Sequence, residues 1–227
     1  MKIILALLLL FSAATYSQNN NKDLYIAFDK TIGLENTNLS YGKLFTEKYR
    51  TTQENHPYLK KNDFQTASVN YQKESFYNIL LKYDVLEDEL IITIPNDYGN
   101  RSLILEKAKV KGFTLDNKTF VNDITYGFLQ VLYHINNTTL YKKNSKTKKK
   151  KLNKSYVYYK FIENNSYQLR INETNFEVKN KKDFIDLFPL QKKLITDFYK
   201  ANRDIRKNNL DQFFLRLTTQ LSKQTNQ

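Results

Sequence analysis

From Tyr77 to Ile171 apolar and polar residues alternate, and turn-forming residues interrupt the alternation about every ten positions. A period of two marks strands with one buried face, because successive side chains point to opposite sides of a pleated chain. The clearest case is YNILLKYDV, where Tyr77, Ile79, Leu81, Tyr83 and Val85 share one face and Asn78, Leu80, Lys82 and Asp84 the other. LEDE then turns the chain, and LIITI alternates again through Leu90, Ile92 and Ile94, which predicts an antiparallel hairpin. NDYGN (96–100) and DNK (116–118) are further turn signals. Strands at this spacing, with no helical segments between them, predict an antiparallel meander, either a sandwich or a partly open barrel, and not βαβ units.

The pattern continues in GFLQVLYHI, where Leu129, Val131, Tyr133 and Ile135 share a face. NNTT can turn, and LYKK starts a return strand. SYVYYKFI and SYQLRI flank Asn164-Asn165, a pair that suits the positive φ of a tight hairpin turn. Beyond residue 179 the period becomes helical. Asn180 is placed as an N-cap with Asp183 three residues on, and Pro189 opens a helix with a Leu190, Leu194, Ile195, Phe198 stripe. Asn209 and Gln212 resemble a capping box ahead of Leu210, Phe213, Phe214, Leu217 and Leu221. Each stripe needs a partner, most simply the sheet. The expected fold is a single α+β unit over 24–227, β-rich over 24–178 and helical over 180–224.

The chain start has a different logic. Lys2 precedes an apolar run from Ile3 to Phe11, then small residues, then polar Gln18. This is the layout of a secretory signal peptide, too short to span a bilayer, with cleavage expected after Ser17 and a flexible start over 18–23. No other segment approaches a membrane span, and the strands are short for a lipid-crossing barrel, so the expectation is an exported protein of the periplasm, the envelope surface or the exterior. There is no Cys, so no disulfide can staple the fold, and packing by 17 Tyr and 15 Phe must carry its stability.

Several blocks recur in a fixed order: Tyr71, Tyr77, Leu81, Lys82, Tyr83, Asp84, Asp88 and Leu90; then Val110, Phe113 and Phe120; then Gly127, Phe128, Val131, Leu132 and Tyr133; then a lysine-rich connection, KKDFIDLFP and a helical tail. In this the chain resembles small exported proteins of Bacteroidota-type bacteria. The resemblance implies export and a common fold, and it carries no catalytic residue onto this sequence.

The residues that could carry chemistry are few. Without Cys or a G-x-S-x-G elbow there is no nucleophile signature, and His56 and His134 have no metal-ligand spacing. The five glycines are scattered and build no phosphate loop. Asp84, Glu87, Asp88 and Glu89 form the densest acid cluster. They could serve a polymer hydrolase as acid and base, but they lack the calcium-loop pattern and read first as a hydrated turn. Nothing calls for a cofactor or a metal. Of the aromatic residues, Tyr77, Tyr83, Tyr133 and Tyr159 are expected in the core, and Tyr156 with Tyr158 on the opposite, exposed face.

What remains is charge. Lys142, Lys143, Lys146, Lys148, Lys149, Lys150, Lys151 and Lys154 lie together without an intervening acid, and they hold eight of a formal net charge of +13. Like charges at this density resist folding and attract polyanions, so 142–154 is expected to be a solvated loop. The functional expectation is an exported, non-catalytic binding or structural module. A variant of it binds an anionic glycan, lipopolysaccharide or nucleic acid through these lysines.

Overall fold

The computed structural model describes residues 20–96, 99–152 and 156–224. The expected signal peptide, its cleavage point and Lys154 lie outside the described residues. The fold is α+β, as the patterning predicts: one open antiparallel sheet of 11 strands, followed by helices.

The strands are β1 (Lys43–Leu44), β2 (Gln65–Tyr71), β3 (Glu74–Asp84), β4 (Glu89–Asn96), β5 (Gly99–Ile104), β6 (Val110–Leu115), β7 (Lys118–Asp123), β8 (Gly127–Ile135), β9 (Thr138–Lys143), β10 (Lys146–Leu152), β11 (Val157–Glu163), β12 (Ser166–Ile171) and β13 (Thr174–Glu177). The helices are α1 (Asn20–Ile32), α2 (Lys181–Leu187), α3 (Lys192–Ala201), α4 (Arg203–Asn208) and α5 (Leu210–Gln224). The sheet order is β1-β5-β4-β3-β2-β6-β7-β8-β9-β12-β13, with β10 and β11 paired only to each other. Two four-strand meanders, β2–β5 and β6–β9, thus join along β2 and β6. Tight turns fit this arrangement: Gln72-Lys73, Asp116-Asn117 and Asn172-Glu173 all have positive φ, as two-residue hairpin turns require.

The predicted β3–β4 hairpin forms, with Tyr83 opposite Leu90 and Asp84 opposite Glu89. Its inner face departs from strict alternation. Asn78 has φ 55°, and the β2–β3 register shifts between Ala67 and Val69. A bulge reverses the phase of a strand, so Phe76 is buried in place of Tyr77. Tyr77 instead faces Tyr25 of α1, with ring centroids 6.4 Å apart.

Two cores share this sheet. The first lies over β2–β8, where Tyr83 is ringed edge-on by Phe113, Phe120 and Phe128 at 5.3–5.8 Å. The second lies between Leu140, Tyr167 and Leu169 of the sheet and the C-terminal helices, through Phe184, Ile195, Phe213, Phe214, Leu217 and Leu221. Asn180 and Asp183 form the expected capping box of α2. Asn209 Oδ1 accepts from the Gln212 amide at 3.0 Å at the start of α5. Leu190 departs from the predicted stripe: it sits in a 3-10 turn before α3 and is fully exposed.

Three further expectations of the fold need correction. Residues from Asn20 onward form helix α1, not a flexible start leading into strand, and Gly33 ends it at φ 79°. Asn164-Asn165 is not a hairpin turn, because β12 pairs with β9 and β13 while β11 pairs with β10. The lysine run is not a loop, since Lys142 and Lys143 end β9 and Lys146–Lys151 run through β10.

Candidate functional site

The chain leaves the sheet at Lys143 and re-enters beside it, because Ser166 of β12 pairs directly with Lys143 of β9. The intervening residues form a two-stranded arm, β10–β11. Its base is stapled: the Ser145 amide donates to Asn165 Oδ1 at 3.1 Å, and the Asn164 amide to the Ser145 carbonyl at 2.8 Å. Asn144 is buried and donates to Gln130 Oε1 at 2.9 Å.

Pairing sorts the arm into two faces, since directly opposed residues share a side. Lys148 opposes Phe161 and Lys150 opposes Tyr159; on the other face Lys149 opposes Lys160 and Lys151 opposes Tyr158. The first face packs on the body. Tyr49 stacks edge-on against Tyr159 and Phe161 at 5.3 and 5.5 Å, and Asn55 bonds the backbone of both. The second face is the outward one: Lys149, Lys151 and Lys160 are exposed. Tyr158 and Tyr156 extend it, 6.0 Å apart between ring centroids, and Arg50 lies 5.3 Å over Tyr156.

The lysine run therefore divides by role. Lys142 pairs with Asp211 of α5 at 2.8 Å, and Lys143 with Asp88 at 2.7 Å; both lysine side chains are largely buried. Lys146 donates to the carbonyls of His56 and Tyr58 at 2.9 and 2.8 Å, and burial lowers its pKa. Lys148 lies 4.8 Å over the Tyr49 ring, donates to its hydroxyl and sits 3.9 Å from Glu87. Among the described residues, Lys149, Lys150, Lys151 and Lys160 form no ion pair with a carboxylate. Sequence reasoning missed Lys160 and Arg50. The available signal for Lys160 was the strand pattern of SYVYYKFI, once that strand is paired with the lysines and not with SYQLRI.

The acid turn after β3 is not hydrated as expected. Asp84 is 6% exposed, and its Oδ1 accepts from the Leu86 and Glu87 amides at 2.9 and 3.0 Å. Burial pushes its carboxyl up to about 6, against the pull of those two amides. Asp88 has both oxygens occupied. Tyr83 donates to Oδ1 at 2.6 Å, Lys143 approaches the same oxygen, Lys107 donates to Oδ2, and the Phe128 amide reaches Oδ2 at 3.4 Å. Burial raises the Asp88 carboxyl, but Lys107, Lys143 and Tyr83 outweigh it and hold the group below its ordinary value. The two acids are thus pushed apart in pKa, a pattern shared by catalytic pairs. Here, however, hydrogen bonds of the fold take up Asp84 Oδ1 and both oxygens of Asp88.

A stability prediction follows from Asp84. Its folded pKa is raised, so the stabilising contribution is complete below the unfolded value and is lost as pH rises through about 6. Replacing the carboxyl with a carboxamide would keep the carbonyl oxygen that the two amides need and remove the buried charge. Asp84→Asn is expected to raise stability by about 1–3 kcal/mol at pH 7.5 and by nothing below about pH 4. Urea denaturation at the two pH values checks this.

His56 is buried, accepts the Tyr58 amide on Nδ1 at 3.1 Å and stacks on the Tyr58 ring. Burial and the Lys146 charge lower its pKa. His134 Nδ1 bonds Thr139 Oγ1 at 2.7 Å across the β8–β9 pair. Among the described residues, no group of three or more His, Asp or Glu is gathered to hold a metal ion, and no helix is long and apolar enough to cross a membrane. The chain matches no family model, no curated protein and no solved structure. The arm, with its outward basic and aromatic face, is the candidate site.

Proposed function

We propose that this is an exported, non-catalytic binding protein that attaches to an anionic polymer through the outer face of its β10–β11 arm. The leader-like start and the resemblance to small exported proteins support export. One observation carries the binding role: Lys149 and Lys160 stand directly opposite each other, with Lys151 on the same face and no carboxylate paired to any of them among the described residues. Like charges directly across a ladder destabilise it. An anion lying along the face turns that repulsion into attraction, and displaced counterions add to affinity. The neighbouring Tyr156, Tyr158 and Arg50 offer flat surfaces on which sugars or bases can stack. Lysine ammonium groups make diffuse point-charge contacts, so recognition follows charge density and not polymer sequence. The partner class is therefore a phosphorylated or sulfated glycan, lipopolysaccharide or nucleic acid.

Fluorescence anisotropy with a DNA duplex and with heparin, across a salt series, tests this. With the outer-face lysines Lys149, Lys151 and Lys160 engaged, the log–log slope for duplex DNA is expected at about −3, at about 0.9 per phosphate neutralised. A slope near about −7 would instead mean that the whole lysine run engages, including residues committed to ion pairs inside the fold. Replacing these three lysines with Gln should abolish binding while leaving the melting temperature within a few degrees. Unchanged binding in that variant sinks the proposal.

A further inference from the structure

Helix α1 packs on β3 and, with the turns over 34–41, borders a half-open cavity of about 280 Å³ far in sequence from the arm. Asp29 lines it. The residue is 9% exposed, and its buried Oδ2 has no hydrogen-bond partner among the described residues. Glu74, at the start of β3, lines the same cavity and is held at one oxygen by Asn38 Nδ2 at 3.1 Å. Neither acid is paired with a Lys, Arg or His of the described residues. Burial first, and then the Glu74 charge, push the Asp29 carboxyl above its ordinary value. An acid in this state is incomplete: a buried polar oxygen without a donor costs free energy, and a cation would remove that cost.

The walls say which cation. Tyr25, Phe28, Tyr41 and Phe76 line the cavity together with the two acids. Phe28 and Tyr41 are 58% and 78% exposed, so their rings are accessible to a ligand. Aromatic faces attract cations that shed water easily. A hard metal ion wants six or more oxygens; besides the two acids the lining offers the neutral Asn36, Thr37, Asn38 and Ser75, and no third acid or histidine joins them among the described residues. The cavity lies at the small end of ligand sites, so the occupant is compact.

We infer that the α1 cavity is a binding site for a compact organic ammonium ion, with Asp29 as its counter-charge, Glu74 at its rim and the aromatic side chains as its walls. This site is independent of the arm and stands whether or not the arm binds a polymer.

Isothermal titration calorimetry of the purified protein with choline, with n-butylammonium and with 3,3-dimethylbutan-1-ol, the neutral isostere of choline, tests the assignment. At least one of the two cations is expected to bind, and the alcohol at least tenfold more weakly. Asp29→Asn should cost tenfold or more in affinity with the fold retained, as read by the melting temperature. Tyr41→Ala, at a mostly exposed position, should cost several-fold with no change in melting temperature. Equal binding of the neutral isostere, full affinity in Asp29→Asn, or no heat from either cation would overturn the inference. Calcium binding that excludes choline and survives Tyr41→Ala would overturn it in favour of an inorganic ion.

Discussion

Asp88→Asn is expected to lower stability by about 3–5 kcal/mol at neutral pH, the range for removing one partner of a buried charge pair. Asp88 is the only carboxylate within ion-pair distance of Lys143 among the described residues, and the side chains of the two are 17% and 19% exposed. Burial lowers the Lys143 pKa even with Asp88 present. Without that carboxylate, the ammonium group must lose its proton or remain charged in a poorly hydrated site. Lys107 loses its partner as well, and Tyr83 loses a charged acceptor in the centre of the first core. The effect depends on pH. A carboxyl held below its ordinary value stabilises the fold above the unfolded pKa and loses that contribution as pH falls through the folded pKa. The gap between the native protein and Asp88→Asn should therefore narrow in acid. Chemical denaturation from pH 7.5 down to pH 3 measures both quantities. A loss of under about 1 kcal/mol at neutral pH, the size of an exposed ion pair, would mean that water solvates the cluster. Gly127 gives a second handle: it has φ +72°, and an added Cβ would lie 2.0 Å from Asp88 Oδ2, so Gly127→Ala should disrupt the same cluster with the charge intact.

The arrangement around Asp88 shows where sequence reasoning succeeded and where it stopped. The β3–β4 hairpin, the Asn180–Asp183 capping box and the Asn209 cap were legible because their determinants lie within a few residues of one another. Phe76 and Tyr77 exchanged faces because a bulge at Asn78 is a local backbone event that alternation cannot register. Asn164-Asn165 looked like a turn because neighbouring strands usually pair. Here β9 takes β12 as its partner and expels β10 and β11 as a hairpin of their own. Helix α1 escaped detection because Leu24, Tyr25 and Phe28 are exposed, so no clean buried stripe marks it.

The lysine run is the sharpest case. Repulsion among like charges argued for a loop, and within the run that argument is sound. The run folds as the end of β9 and as β10 because its charges are answered from elsewhere in the chain: Lys142 by Asp211, Lys143 by Asp88, and Lys148 by Tyr49 and Glu87. Tyr159 and Phe161 anchor the partner strand on Tyr49. Contacts this distant in sequence leave no periodicity to read. They also reduce the candidate site, since lysines that looked equivalent divide into those that hold the fold together and those left on the outer face.

Phe214→Ala is expected to cost about 3–5 kcal/mol, the range for truncating a fully buried aromatic side chain. Phe214 is 1% exposed and touches three rings on three elements: Tyr167 of β12 at 4.8 Å, Phe184 of α2 at 5.3 Å and Phe213 of α5 at 5.7 Å between centroids. Removing it opens a void where helices meet sheet. Beside it, Asp211 accepts from the Tyr167 hydroxyl and from Lys142, so the same turn of α5 is clamped to β9 and β12 by polar contacts that truncation would loosen. At about 2–4 °C per kcal/mol for a chain of this size, the melting temperature should fall by roughly 6–20 °C. The two cores rest on one continuous sheet, with Phe128 of β8 in the first and Leu140 of β9 in the second. Unfolding of the variant should therefore remain a single transition, seen at the same midpoint by far-ultraviolet circular dichroism and by tyrosine fluorescence. Two separated transitions would show that the helical tail melts independently and that the sheet does not couple the cores.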